Sequence, residues 1–563
     1  MNNYAIADHF SLLSKLMDIH GDNAFKSKSY SIIAYYIENL PRQIEEMDDA
    51  ELFSHKGIGA STGKKIREIQ QTGKLDMLEQ MMAATPPGIQ EMLNIKGLGP
   101  KKISVIWKEL GIETLGELEY ACQENRLTTL KGFGAKTQQT ILDNISYYKK
   151  NQGYHLWAEV EMIAYDLVAR LQEIYPFRLF SVTGAVRRQE EVVEFVEIVT
   201  NLPHEKLVEQ FQDITDTVIE EAPDSVLIIR VPDHPVIKVY MCSERDFART
   251  VFVTTGSAAF MEAFFERYNI PDRLFSLEEE IFEINNLPFI PPPLRETAII
   301  LQHAADGNLK ELIKVEDIKG IIHSHSTWSD GLDKISVMAK SAKEQGFEYL
   351  VISDHSQAAY YAQGLKPEQI AAQHQEIDAL NEKLAPFKIF KSIEADILND
   401  GSLDYNEEVL KTFDLVIASV HSNLKMSEEK AMSRLLTAIA NPYTSILGHP
   451  TGRLLLSRKG YPVDHKTLID ACAAHSVVVE INAHPRRLDI DWRWIEYAME
   501  KGVLLSVDPD AHSVMGFRDI YYGLMNAQKG GLTSACNLSS YSLIEFEAFL
   551  EKQRQKRTGR LIV

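Results

Sequence analysis

The feature that most restricts the fold is a recurrence in the C-terminal half of the chain. Short apolar runs there each stop on a metal-type side chain. KGIIHSHSTWSDG carries His323, His325 and Asp330; YLVISDH ends on His355; KIFKSIEAD carries Glu394; DLVIASVH ends on His421; TSILGH ends on His449; VLLSVDPDAH carries Asp510 and His512. Helix-forming segments separate the runs, so strand and helix alternate from about residue 320 onward, the pattern of a parallel α/β barrel. Such barrels gather functional groups at the C-terminal ends of their strands, and these residues stand at strand ends. In a strand, His-x-His puts both rings on one face. Imidazole suits zinc, manganese or iron, and a carboxylate can bridge two ions. One histidine at a strand end is more often a hydrogen-bonded packing residue than a ligand. Ligand types at strand end after strand end read as a multinuclear centre.

The N-terminal third repeats another pattern: HKGIGASTGKKI from His55, IKGLGPKKI from Ile95 and LKGFGAKTQQTI from Leu130. Each reads as helix, tight Gly-x-Gly turn, then a helix bearing lysine. Glycine turns the backbone without a Cβ clash. The bare N–H groups and the helix dipole that follow form an anion site. The candidate DNA contacts are Gly57, Gly59 and Lys64, then Gly97, Gly99 and Lys101, then Gly132, Gly134 and Lys136, with Lys65 and Lys102 beside them. Contacts of this kind hold a backbone without reading sequence. Upstream, Gly21–Pro41 reads as an amphipathic helix whose Lys26, Lys28 and Tyr30 could hold a DNA end; a solvated helix face over an aromatic core accounts for it equally well.

Between these regions lies GAVRRQEEVVEFVEIVT, Gly184–Thr200, followed by TTGSAAF (Thr254–Phe260) and PPPLRE (Pro291–Glu296). In order and spacing these resemble the palm and thumb of family X DNA polymerases, and the hairpin region resembles their N-terminal part. In that family two aspartates alternate along one strand and a third comes from its neighbour, since two divalent cations need clustered carboxylates. Aligned on Gly184 and Arg187–Arg188, and counted back from Gly256–Ser257, those positions are Phe195, Glu197 and Lys238. One is apolar, one is a longer carboxylate, and one is a cation that repels Mg2+. Ala185 stands for a serine that meets the triphosphate, and Val253–Thr254 for an aromatic pair facing the sugar. Asp213, Asp216, Asp224 and Asp233 lie in the interval, but none sits in a strand-like apolar run at the required place. The expectation is a polymerase site that has lost its metal ligands. The region would then serve as structure, or position DNA through Arg187, Arg188 and Lys238.

The C-terminal half resembles the PHP (polymerase and histidinol phosphatase) family: HSHSTWSDG, SDH, the isolated Glu394, VHS, GHP and DAH occur in that family's order. The resemblance implies a distorted seven-stranded barrel holding up to three divalent ions, manganese first, with zinc or iron as alternatives. The implied ligands are His323, His325, Asp330, His355, Glu394, His421, His449, Asp510 and His512, with Glu394 bridging. Glu394, His323 and His325 would then be catalytic, through water activated for attack on phosphorus. Arg453 in GHPTGR and Arg487 in PRRLD are candidate phosphate clamps; His484 and Asp354 are candidates for supporting the ligands. Hairpins, core and barrel together have the arrangement of the bacterial family X DNA polymerases. In those proteins the PHP barrel is associated with 3′–5′ exonuclease and other phosphoester hydrolysis.

The expected fold is therefore multidomain α/β. Residues 1–85 form a helical DNA-binding domain with the first hairpin, and 86–152 a second hairpin region. Residues 153–250 form an α+β nucleotidyltransferase-like palm, 251–316 a thumb, and 317–563 a (β/α)7 barrel. LPRQIEEM, TPPGIQEM and the PPP at 291 mark the boundaries. The net charge of −21 opposes DNA binding in sum, but lysines cluster at the hairpins. No apolar run reaches the ~18 residues of a membrane span, and no basic region precedes an apolar leader. The four cysteines form no CxxC pair. These features imply a monomeric cytoplasmic protein without membrane contact. The expected function is an Mn2+-dependent 3′–5′ exonuclease in DNA repair, taking gapped DNA or 3′ ends without sequence preference. The alternatives are an active gap-filling polymerase, a phosphatase of a small phosphomonoester, and a non-catalytic repair scaffold.

Overall fold

The computed structural model describes residues 3–558 except 39, 41, 56, 124, 125, 233, 457 and 458; Lys56 of the first hairpin and Asp233 thus lie outside the described residues. The chain divides into two compact units, Met1–Gln152 and Gly153–Val563.

The first unit is helical. We name α1 (Asn3–His20), α2 (Ala24–Glu38), α3 (Ala60–Thr72), α4 (Pro100–Leu110) and α5 (Ala135–Asn151). Apolar side chains at helical spacing supply its core: Ile6, Phe10, Leu13 and Met17 of α1, Ile66 and Ile69 of α3, Ile103 and Ile106 of α4, Ile141 and Ile145 of α5. The hairpins share one geometry. The first glycine of each Gly-x-Gly is left-handed (Gly57 φ +89°, Gly97 +83°, Gly132 +91°). The middle residue, Ile58, Leu98 or Phe133, is buried. The second glycine (Gly59, Gly99, Gly134) is the extended N-cap of α3, α4 or α5 and brings no side chain to that cap. In α2, Tyr30 fits the reading of an aromatic core under a solvated face and does not face a DNA end. It is buried, and its hydroxyl points at Met77 Sδ. The aromatics that α2 turns to solvent are Phe25, 87% exposed, and Tyr35, 64% exposed.

The second unit contains a five-stranded mixed sheet and a seven-stranded parallel one. The smaller sheet comprises β1 (Phe180–Thr183), β2 (Phe195–Thr200), β3 (Val218–Ala222), β4 (Val226–Arg230) and β5 (Val236–Met241), in the spatial order β1-β2-β5-β4-β3. Only β2 and β5 run parallel, with Glu197 opposite Lys238. Val196, Ile198, Ile237 and Val239 face the core, and helix α6 (Trp157–Ile174) contributes Trp157, Val160 and Ala164 to it.

The larger sheet is β6 (Gly320–Ile321), β7 (Tyr349–Ile352), β8 (Lys388–Asp396), β9 (Leu415–Ser419), β10 (Ile446–Leu447), β11 (Val478–Asn482) and β12 (Leu505–Asp508), side by side in chain order. The two edges meet where Ser324 bridges Ala511, with His325 N–H donating to the Ala511 carbonyl at 2.8 Å. The result is a nearly closed barrel. Ile322, Val351, Phe390, Ile417, Ile446 and Val478 cluster with Phe546 and Leu550 of the C-terminal helix Leu543–Arg557. Tyr349 stacks on Phe546 with ring centres 4.4 Å apart. Palm-like sheet and barrel are not separate cores: Val160, Val182, Ile198 and Leu227 belong to the same buried cluster as Ile321, Leu447 and Leu524.

Candidate metal centre

Each predicted ligand but Asp330 lies near the C-terminal end of a strand or within a few residues past it; Asp330 sits nine residues after β6, in a turn. Three of them hold left-handed backbone, His323 at φ +60°, His449 at +23° and Asp510 at +51°. Conformations of that kind cost energy in non-glycine residues and persist where the surroundings impose them, often at functional sites. Gly331 serves the same packing. A Cβ there would lie 2.2 Å from the His325 carbonyl oxygen, so only glycine lets the Asp330 turn lie against that strand end.

Glu394 is central. Its Oε1 lies 3.3 Å from His323 Nε2, 3.2 Å from His421 Nε2 and 3.0 Å from His449 Nε2; its Oε2 lies 2.9 Å from His355 Nδ1 and 3.6 Å from His325 Nε2. Asp510 Oδ1 meets His325 Nε2 at 3.0 Å and His323 Nε2 at 3.5 Å. Asp330 lies between His355 and His512, 3.6 and 3.5 Å away. Three overlapping groups have ligand atoms within 4.8 Å of one another: His325, Asp330, His355 and His512; His323, His325 and Asp510; His355, Glu394 and His421. His449 belongs to none of them and joins through Glu394. Asp330 and His512, with side chains 31% and 40% exposed, mark the open end, whereas His323, His449 and Glu394 lie at the sealed one.

Charge is arranged as a metal centre requires. Burial opposes an imidazolium at His323, but Glu480, Asp510 and Glu394 hold it well above the usual range. Burial likewise opposes charge on His421 and His512, yet Glu394 and Asp396 lift the first to about 10, and Asp330 and Asp510 lift the second to about 9. His325 goes the other way: burial, with His512 and His355 beside it, pushes it down to about 3. Burial would raise Glu394 and Asp510, but the surrounding imidazoles hold both well below the usual carboxylate range. Nε2 of His323, which faces Glu394 and Asp510, is buried without a hydrogen bond of good geometry. Buried polar atoms are rarely left so. Imidazole and carboxylate donors converging on one pocket, one of them without such a bond, fit divalent cations.

The ring orientations are set by acids that sequence reading missed. His323 Nδ1 donates to Glu480, which also takes the His449 backbone N–H. His421 Nδ1 donates to Asp396 at 2.5 Å. In both, Nε2 is left facing Glu394. Asp354, expected as a supporting residue, accepts from the N–H and hydroxyl groups of Ser326 and Ser329 and from Gln373, so it fixes the turn that carries Asp330. His484 accepts from the Arg486 N–H at 3.2 Å within its own loop. Arg487 lies 3.7 Å from Asp510. Arg453 departs from the expectation of a phosphate clamp. Its guanidinium is bound to Glu191, Asp491 and the carbonyls of Arg487 and Leu488, because its loop lies against the turn that carries Glu191.

In that smaller sheet the three polymerase positions do come together. Lys238 lies 4.0 Å from Glu197, and its ammonium sits over the Phe195 ring at 5.8 Å. Glu197 accepts from Ala185 N–H and the Tyr240 hydroxyl. Gly184 is left-handed, and a Cβ there would strike Glu197 Oε2 at 1.7 Å. Among the described residues no potential metal-binding group of three lies in this sheet. Arg187 and Arg188 are both tied to acids within the unit. Arg187 is paired with Glu278, and Arg188 with Glu296 at 2.7 Å and the Thr255 carbonyl at 2.9 Å. The hairpin lysines Lys64, Lys101 and Lys136 are exposed.

Comparison with known proteins follows this layout. Residues 1–75 match the model of a helix-hairpin-helix domain, residues 89–145 that of a SAM-like helix-hairpin-helix tandem, and residues 322–484 that of the PHP domain. The chain is 34% identical over 556 residues, 95% of its own length and 97% of the relative's, to the DNA polymerase/3′-5′ exonuclease PolX of Bacillus subtilis (strain 168). A probable phosphatase of Thermoanaerobacter sp. (strain X514) is 26% identical over 252 residues, 42% of this chain and 96% of that one. The probable phosphatase YcdX of Escherichia coli O81 is 29% identical over 168 residues, 28% of this chain and 59% of that one. Among the described residues no helix is long and apolar enough to cross a membrane.

Proposed function

The chain belongs to the bacterial family X DNA polymerases that carry a C-terminal PHP domain, and on that premise we propose that its chemistry is 3′–5′ exonucleolytic hydrolysis of DNA in the barrel. The observation that carries this reading is the contrast between two sites in one unit. The barrel gathers three overlapping groups of ligand-type side chains; the palm has Phe195, Glu197 and Lys238 where a two-metal site needs three carboxylates. A lone glutamate beside an ammonium favours neither binding of Mg2+ nor nucleotide transfer.

His323, His325, Asp330, His355, Glu394, His421, His449, Asp510 and His512 would hold up to three ions, Mn2+ first. Bound divalent cations supply Lewis-acid stabilisation of the phosphoryl group and water activated near neutral pH. The protein's own part is to place the substrate. Arg487 offers a guanidinium to a non-bridging phosphate oxygen. The open end at Asp330 and His512 admits the strand. The hairpin N-termini with Lys64, Lys101 and Lys136 hold DNA without reading it. Water adds to phosphorus, the bond to the preceding 3′ oxygen breaks, and a nucleoside 5′-monophosphate leaves a shortened strand ending in a 3′-hydroxyl. The setting would be repair of gapped DNA in the cytoplasm.

The test is hydrolysis of an end-labelled oligonucleotide by the Mn2+-loaded chain. Joint substitution His323→Ala and His325→Ala should abolish it while DNA binding persists; hydrolysis that survives would contradict the reading. The phosphatase relatives support a second reading, release of phosphate from a small phosphomonoester. Salt-dependent DNA affinity separates the two, since a small-molecule phosphatase needs none.

A further inference from the structure

Arg453 follows the ligand position His449 by one turn of chain, yet it serves the neighbouring loop. Its Nε donates to the Arg487 carbonyl at 2.8 Å and another nitrogen to the Leu488 carbonyl. On its far side it pairs with Asp491 at 2.9 Å and with Glu191 of the palm. Glu191 is buried, and its other neighbour is Arg493, 3.8 Å away. The palm touches the same loop once more, through Glu159 of α6, 3.5 Å from Arg486. Within the loop, Arg487 N–H returns to the His484 carbonyl at 2.7 Å, and the Arg487 side chain reaches to 3.7 Å from Asp510. Direct contacts therefore run from a palm carboxylate, through one guanidinium, to the backbone that delivers Arg487 to the metal centre.

A guanidinium holds its partners in a planar fork, so the place of its carboxylate fixes the place of its carbonyls. We propose that Glu191 is a positioning residue: acting through Arg453, it holds Arg487 where it can bind the substrate phosphate beside the metal centre. The palm that lacks its own ligands is then part of the frame of the hydrolytic site. This rests on the phosphate-binding role proposed above for Arg487.

The test uses the full, Mn2+-loaded chain, with calorimetric titration of inorganic phosphate alongside steady-state hydrolysis of a labelled oligonucleotide. Glu191→Gln and Arg453→Lys should each weaken phosphate binding and raise KM by about tenfold, with kcat within about twofold. In an Arg487→Ala background Glu191→Gln should add nothing. Glu191→Asp, which keeps the charge, should recover most of the affinity. Tyr521→Phe loosens a different palm–barrel contact, that with Glu161, and should change neither quantity. The proposal is overturned if Glu191→Gln binds phosphate as the wild type does, if its effect adds in full to that of Arg487→Ala, if Tyr521→Phe has the same effect, or if the wild type binds no phosphate. A wild type that binds phosphate but leaves DNA intact would contradict the nuclease reading alone, and the titrations would still decide this one.

Discussion

Among single residues, the buried acids behind the imidazoles orient the candidate ligands. Asp396 and Glu480 each hold one ring nitrogen so that the other faces Glu394. Asp396→Asn or Glu480→Gln should lower Mn2+ affinity about 10–100-fold, measured by metal titration, with the fold retained by circular dichroism. The candidate ligand positions were legible in sequence because a strand end followed by His, Asp or Glu recurs down the chain. Glu480 was not, since VVVEIN reads as an ordinary strand with an acid in it, and only closure of the barrel brings it against His323. Asp396 shares a strand face with Glu394 two residues before it, and reading Glu394 as the ligand of that run passes over it. Glu190 gives a prediction of another kind. Burial pushes it up to about 7 from 4.5 against the pull of Lys529, and Glu296 adds to the push. Folding thus favours its protonated form. That contribution is present below pH 4.5 and is lost as pH rises through 7. Glu190→Gln should leave stability unchanged near pH 4 and raise it by about 1–3 kcal/mol at pH 8, read from paired denaturant melts.

The elements proposed to carry DNA contacts are the hairpins. Their Gly-x-Gly spacing was readable because the geometry is local: one left-handed glycine, one buried side chain, one bare N-cap. The adjoining α2 left two readings open. Its face depends on what it packs against, and Tyr30 turned inward while Phe25 and Tyr35 turned outward. Each of Lys64→Ala, Lys101→Ala and Lys136→Ala should weaken DNA binding whatever the sequence. Each should also reduce the slope of log K against log salt by about 0.9, measured by anisotropy with labelled duplex. A lysine whose loss leaves the slope unchanged makes no phosphate contact.

In the molecule as a whole, the outcome least visible in sequence is that palm and barrel share one buried core and an ionic seam. Lys529, on the helix Ile520–Lys529, pairs in the interior with Glu296 and with Glu190 at 3.3 Å, and donates to the Arg188 carbonyl at 3.1 Å. These residues lie hundreds of positions apart, so no local pattern could join them; the arginines that resemble a nucleotide-binding motif are instead held by Glu278 and Glu296. Lys529→Met should leave carboxylates buried without their cation and cost about 3–5 kcal/mol, seen as a fall in the unfolding midpoint of the full chain. The central claim is that chemistry resides in the barrel and not in the palm. Its most direct test follows the length of a 5′-labelled primer on a gapped template with Mn2+ and all four dNTPs. The account predicts that the primer shortens and that His323→Ala with His325→Ala stops the shortening; a primer that lengthens would contradict it.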